Sequence, residues 1–459
     1  MRIIGGINSS VKSSISLQEY KKNTAYKKSP YTLEIMQDNG MLIYNSLTCE
    51  LIFMSVDEFC FKSENSDEIY RWLVEHWFYF PQDVDPKSIV YMLKHEMKLR
   101  IPMNIPTIPD RFVVLTTTAC NARCYYCYEA GTPIRPMTDQ RALDVAKYIE
   151  SHCSQPVTIT WFGGEPLCNP NAIRIICNYL EERGVDYHSS MITNGYLVDL
   201  FDIDEMRNKW HLRNVQITLD GTKNVYINSK KYKNNDENAY EKVLDNIETL
   251  LDNGIRVSIR MNVSKDNGAD LHDLAKYLGL RYSCYPNFTV YPRGLFIGCG
   301  DPPVNFTDEE ELEVVKNTIS LEKLLIELGI FKRTKEIYNF PRVHCMADKS
   351  ECAVITPEGN LTPCEHYIDS EICGNVYEGV TDYETMESWK SLANEYPECA
   401  TCFNYPRCTH LKKCPSDSVC TPAQRVYERH QISMVMADKY NQHMKREKIL
   451  GGKIKGGEV

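Results

Sequence analysis

Between Thr118 and Gly131 the chain reads TACNARCYYCYEAG, three thiols spaced C-x3-C-x2-C with no fourth cysteine nearby. A four-iron cube takes one ligand per iron, so three thiolates leave one iron open, much as a catalytic zinc keeps one open position. An open iron can receive a small molecule through an amine and a carboxylate. A second cysteine field begins past residue 340: HCMADKSECAVITPEGNLTPCEHYIDSEICGN, then CATCFNYPRCTHLKKCPSDSVC. Taken alone, its C-x2-C-x5-C run also suits a zinc ribbon. Nineteen cysteines are many for a reducing compartment, where disulfides rarely persist, so grouped thiols point to metal. Cys49, Cys60, Cys153, Cys168, Cys177, Cys284 and Cys299 stand apart and read as small hydrophobes or incidental thiols.

The elements that must position these groups follow from periodicity. Residues 31–55 alternate apolar and polar around Asp38-Asn39-Gly40, a hairpin plus a third strand. DEIYRWLVEHWFYF and DPKSIVYMLKHEMKLR read as helices, the second with Asp85 as cap and Pro86 at its first position. IPMNIPTIPD (101–110) is a linker by its prolines. From residue 111 strand and helix alternate: RFVVLTTT, VTITWFGG, SSMITNG, NVQITLDG, IRVSIRMNV and PNFTVYPRG are six strands with helical segments between. That pattern specifies an α/β fold, a parallel sheet forming a partial (β/α)6 barrel, with ligands at the C-terminal strand ends. The three cysteines lie directly after the first of these strands.

With 459 residues the chain exceeds one ordinary core. The expected division is 1–108 (α+β), 109–335 (barrel), 336–440 (cysteine-rich) and a basic tail, 441–459. A net charge of −10 argues against nucleic-acid partners. No apolar run is long enough to span a membrane and no signal peptide is evident, so a cytoplasmic enzyme is expected.

C-x3-C-x-aromatic-C, with Tyr126 as the aromatic, resembles the signature of radical S-adenosylmethionine enzymes. WFGGEP (161–166), TNG (193–195) and TLDGT (218–222) resemble further motifs of that family, each after a strand. The resemblance implies that Cys120, Cys124 and Cys127 hold a 4Fe–4S cluster. It also implies that Tyr126, Gly163, Gly164, Glu165, Asn194 and Thr218 surround S-adenosylmethionine. Relatives have a following His and Arg that KNVYINSKKYK lacks, so Arg260, Lys230 or Lys231 is left to contact the cofactor's carboxylate. In the family, electron transfer to the cofactor yields a 5′-deoxyadenosyl radical that abstracts hydrogen from carbon.

Joined to such a domain, the second cysteine field resembles the SPASM extension, which holds two auxiliary 4Fe–4S clusters. The resemblance assigns Cys345, Cys352, Cys364 and Cys414 to one and Cys399, Cys402, Cys408 and Cys420 to the other. The five-residue gap from Cys408 to Cys414 departs from the usual three, and Cys373 is left over. Glu365 is the candidate base, taking a proton while an auxiliary cluster takes an electron.

SPASM enzymes mostly act on peptides. The N-terminal unit resembles the leader-binding domain of maturases of ribosomally made peptides, where a leader adds as a strand. The expectation is a maturase that crosslinks a precursor peptide, forming a Cys thioether, with flavodoxin or ferredoxin as reductant. Carbon–carbon crosslinking, epimerisation, formylglycine formation of the anaerobic sulfatase-maturase type, and a peptide-binding scaffold without turnover are the alternatives.

Overall fold

The computed structural model describes residues 1–6, 17–61, 64, 66–100, 109–295, 304–331, 337–338, 345–348, 352–389, 396–408, 413–415 and 420–454. Cys299 and most of the proline-rich linker (101–108) lie outside them.

Five strands open the chain: β1 (Arg2–Gly5), β2 (Tyr26–Lys28), β3 (Thr32–Gln37), β4 (Gly40–Asn45) and β5 (Glu50–Ser55). The hairpin forms as the Asp-Asn-Gly turn predicts, Gln37 opposite Gly40 and Thr32 opposite Asn45. Gly40 is required there: a Cβ would stand 2.2 Å from the Met54 carbonyl oxygen on β5. β1, which the pattern did not reveal, pairs with β5, giving an antiparallel sheet ordered β1-β5-β4-β3.

Helices α1 (Val56–Phe59), α2 (Ser66–Glu75) and α3 (Pro86–Arg100) follow, with β6 (Tyr79–Pro81) between the last two. The helix expected through Phe80 stops at Glu75. Four consecutive aromatics, Trp77 to Phe80, cannot share one helical face, whereas extended chain sends alternate side chains opposite ways. Phe78 enters the cluster of Ile43, Ile52, Met54, Ile69 and Leu73, while Phe80 joins Tyr31, Leu47 and Val90. β6 then pairs antiparallel with β2.

The parallel strands are β7 (Arg111–Thr117), β8 (Val157–Gly163), β9 (Tyr187–Thr193), β10 (Leu212–Thr218), β11 (Arg256–Val263) and β12 (Phe288–Gly294). They lie side by side in chain order, as six strand–helix units require. Their crossovers carry α4 (Asp139–His152), α5 (Pro170–Glu182), α6 (Lys223–Lys230), α7 (Ala239–Asp252) and α8 (Gly268–Tyr282), and α9 (Asp308–Glu327) follows β12. Stripes such as Ile173, Ile176, Cys177 and Leu180 on α5 face the sheet and are fully buried, about 1.5–3 kcal/mol for each aliphatic chain. The link from β9 to β10 has a 3₁₀ turn (Val198–Leu200) and a π-type turn (Glu205–Lys209) where a regular helix would be expected.

Among the described residues the cysteine-rich region builds no sheet of its own. β13 (Cys352–Ile355) pairs parallel with β7, Ala353 opposite Phe112, and β14 (Asn360–Thr362), β15 (Gly374–Asn375) and β16 (Gly379–Val380) extend the same sheet to ten strands. Helix α10 (Tyr383–Trp389) precedes α11 (Pro422–Ile454). α11 runs through most of the expected tail, and residues 455–459 lie outside the described set. Its Ile432, Val435, Met436 and Tyr440 cover Leu33, Leu42, Tyr44 and Leu51 of the N-terminal sheet. Its first turns bind α9: buried Glu322 accepts from Tyr427 Oη at 2.7 Å and Gln431 Nε2 at 2.6 Å. Glu322→Ala leaves two donors unpaired and is expected to destabilise the chain by about 1–3 kcal/mol, read as a lowered thermal midpoint.

Candidate functional site

The cysteine loop leaves the C-terminal end of β7 and returns to it. Arg135 N donates to Thr118 Oγ1 at 2.7 Å, and Met137 N to Thr116 O at 2.9 Å. Within the loop, Cys127 N donates to Cys124 O and Ala130 N to Cys127 O, both at 3.1 Å, two successive turns. The three thiols converge, each close enough for its charge to act on another. Burial, then the Glu165 carboxylate and the other two thiols, pushes Cys120 up to about 12. Burial likewise pushes Cys127 up to about 11 and raises Cys124. Thiols so placed ionise when a cation sits among them, which fits an iron–sulfur cluster. Among the described residues no three His, Cys, Asp or Glu side chains close on a single metal ion.

The glycines at the end of β8 let two strand ends touch. A Cβ on Gly163 would stand 2.1 Å from Thr117 O, and one on Gly164 2.6 Å from both Thr118 O and Ala119 O. Gly163 also has φ +120°, outside the usual range for a side-chain-bearing residue. Glu165 is fully buried and both its oxygens are taken. Oε1 accepts from Leu167 N (3.1 Å) and Thr193 Oγ1 (2.8 Å), and Oε2 from Asn194 N (2.8 Å). Its carboxylate therefore locks β8 to β9, a bracing role beyond the cofactor contact that the motif implied. Asn194 Nδ2 donates to Asn121 Oδ1 at 2.6 Å, so the third strand end also holds the cysteine loop.

The far side of the loop meets a buried cluster. Tyr126 Oη donates to Asp220 Oδ2 at 2.5 Å and accepts from Lys230 Nζ at 2.8 Å. Lys230 Nζ lies 3.0 Å from Asp220 Oδ2, each side chain 2% exposed, and Asn262 Nδ2 donates to Asp220 Oδ1 at 3.0 Å. Burial works against the ammonium, but the charges of Asp220 and Cys124 outweigh it and raise its pKa. The main chain is tied as well: Arg123 N to Lys230 O and Lys233 N to Asn121 O, both 2.9 Å. Lys230 is thus engaged inside the protein. Thr218 ends β10 opposite Arg260 on β11, whose Nε donates to Asn262 Oδ1 at 2.9 Å. Of the cations considered for the carboxylate, Arg260 is half-buried within β11, opposite the end of β10, and Lys231 is exposed.

The second cysteine field separates into two groups. Cys364 and Cys414 are buried with Ala347 and Trp389, and Cys345 packs against them. Burial, then Glu365, Cys345 and Cys414, raises the Cys364 thiol. Cys402 is raised by burial and by Cys408, Cys420 and Cys399. Cys345, Cys364 and Cys414 thus lie together, as do Cys399, Cys402, Cys408 and Cys420, and the Cys352 side chain lies outside the described set. Cys373 Sγ donates to Leu361 O at 3.2 Å inside the main core, a structural thiol. Cys399 and Cys402 pack against Tyr31, Leu47 and Phe80 of the N-terminal unit, and Lys94 Nζ donates to Cys408 O at 3.2 Å.

The turn after Cys364 reaches the three-thiol loop. His366 stacks on Tyr128, centroids 3.8 Å apart, and Arg135 is bound by Glu358 and Asp369. Burial, then Arg260, lowers His366 to about 4, leaving it neutral at pH 7. Glu365 stands close enough to act on Glu129, a residue that motif reading passed over. Burial, then Glu365, pushes Glu129 up to about 7, and neither of its oxygens has a hydrogen-bond partner. Its signal in the sequence is slight: an acid two residues past the third cysteine.

A family model described as "Radical SAM superfamily" matches residues 114–278. GTP 3′,8-cyclase of Clostridium perfringens (strain SM101 / Type A) is 25% identical over 314 residues, 63% of this chain and 91% of that protein. The antilisterial bacteriocin subtilosin biosynthesis protein AlbA of Bacillus subtilis (strain 168) is 23% identical over 300 residues, 61% of this chain and 62% of that one. The solved structure of native anSMEcpe with bound AdoMet and Cp18Cys peptide superposes with a TM-score of 0.55 at 15% identity, over 73% of this chain and 99% of that one, a shared fold. Gly164→Ala drives a methyl into the carbonyls that lead into the cysteine loop. It is expected to lower reductive cleavage of S-adenosylmethionine about 10²-fold, measured as 5′-deoxyadenosine formed under dithionite.

Proposed function

We propose that this radical SAM enzyme is a peptide maturase that abstracts hydrogen from a ribosomally made precursor and closes a crosslink within it, a thioether from cysteine sulfur to carbon. The observation that carries the reading is the meeting of the two cysteine regions. The Cys364-Glu365-His366 turn stands against the Cys127-Tyr128-Glu129 turn, which brings a candidate base and the second cysteine field beside the three-thiol loop. The cluster and S-adenosylmethionine supply, when bound, a radical able to take hydrogen from an unactivated carbon.

Closing a bond onto that carbon releases one more electron and one proton. Glu365 takes the proton, with the buried Glu129 carboxyl beside it. The thiols of Cys345, Cys352, Cys364 and Cys414, and of Cys399, Cys402, Cys408 and Cys420, hold two auxiliary 4Fe–4S clusters, the outlet for the electron, with flavodoxin or ferredoxin as the external reductant. Among the described strands β3 pairs with β4 alone, which leaves its outer edge open to a leader peptide as an added strand. Similarity to a bacteriocin biosynthesis protein and a fold shared with a peptide-bound AdoMet protein support a peptide as substrate. Among the described residues no helix is long and apolar enough to cross a membrane.

Anaerobic co-expression with a short cysteine-bearing precursor should yield peptide lighter by about 2 Da per modified site, two hydrogens removed. The same peptide without its leader should keep its mass. An unchanged full-length peptide together with consumption of GTP would replace this reading with nucleotide cyclisation. Glu365→Gln should reduce crosslinked product by about 10²–10⁴-fold while 5′-deoxyadenosine still forms, by mass spectrometry of both products.

A further inference from the structure

Lys230 is the least expected side chain near the site: a lysine 2% exposed, directly beneath the cysteine loop. Its ammonium is fixed by Asp220 at 3.0 Å and Tyr126 Oη at 2.8 Å, between the Tyr126 and Tyr226 rings at 5.5 and 5.7 Å from their centroids. Its carbonyl holds Arg123 N, so side chain and main chain both grip the segment that carries Cys124. Asp220 is met by three donors, Tyr126, Lys230 and Asn262, which divide its charge among them. Cys124 feels both members of the pair.

We propose that Lys230 sets the reduction potential of the cluster held by Cys120, Cys124 and Cys127, as a fixed buried cation under the loop rather than as a contact to the cofactor's carboxylate. One electron added to a cluster makes it more negative, and a cation locked at short range in a water-poor site favours that reduced state. Asp220 acts in the opposite sense and keeps Lys230 in place. Lys230 is therefore a positioning residue, and its effect is a potential rather than a bond to substrate. The inference rests on the assignment of a cluster to this loop, not on the identity of the peptide.

The test is a reductive titration of the full chain, reconstituted with iron and sulfide and followed by EPR. The radical-loop cluster is identified as the signal that changes when S-adenosylmethionine is added, and signals that do not change serve as internal controls. Lys230→Met should shift the reduction equilibrium of the responsive cluster at least about tenfold toward the oxidised form, about 59 mV more negative for one electron. Asp220→Asn should move it the other way, Lys230→Arg should stay near the parent value, and the Lys230→Met/Asp220→Asn pair should fall between the single variants. Equal potentials in Lys230→Met, Asp220→Asn and the parent overturn the proposal and leave Lys230 as a structural tie. Should Lys230→Met fail to hold its cluster, Asp220→Asn decides: a more positive potential supports the proposal and an unchanged one overturns it. Absence of any S-adenosylmethionine-responsive signal in the parent instead removes the cluster assignment itself.

Discussion

The pairing of β13 with β7 is the constraint from which the rest follows. β7 carries the three-thiol loop at its end, and its two neighbours are β8 of the parallel strands and β13 of the cysteine-rich region. Adjacent strands sit about 4.8 Å apart and share one hydrogen-bond ladder. The turn following β14 is therefore placed by backbone geometry, not by a mobile linker. Tyr128 on His366 and Arg135 on Glu358 and Asp369 complete an arrangement that the ladder has already fixed.

Two buried carboxylates hold the cysteine loop from opposite sides, and each is fully satisfied. Glu165 accepts from Leu167, Thr193 and Asn194; Asp220 accepts from Tyr126, Lys230 and Asn262. A buried acid with its partners made braces a loop, while one without them is costly. Glu129 is the exception: its two oxygens are enclosed and unpartnered.

Much of this was legible in the residues. Alternation of apolar runs specified six parallel strands because sheet and helix impose different periods, and the cysteine loop fell at a strand end as that topology requires. The hairpin at Asp38–Gly40 was readable from turn chemistry. What stayed hidden depends on partners distant in the chain. β1 lacks a period of its own and exists through pairing with β5. The helix ending at Glu75 was overrun because a single-strand pattern does not reveal that Phe78 and Phe80 fill different clusters. In KNVYINSKKYK nothing separates Lys230 from Lys231 as a carboxylate contact, since burial by a pair with Asp220 leaves no local trace. The bonds by which the Glu165 carboxylate joins β8 to β9 also left no local trace.

The packing of α11 across the N-terminal sheet bears on how the chain is made. Leu33, Leu42, Tyr44 and Leu51 emerge early, yet Ile432, which covers them, follows Leu33 by 399 residues. At roughly 5–20 residues per second, synthesis leaves that apolar face bare for roughly 20–80 s. During that interval the sheet, with β3 at an open edge, is a surface for wrong partners on the ribosome. Both cysteine fields are translated before the helix that closes the molecule. The nascent chain is then an open form in which thiols and sheet face are accessible together, a natural window for chaperones and for the machinery that delivers iron and sulfide.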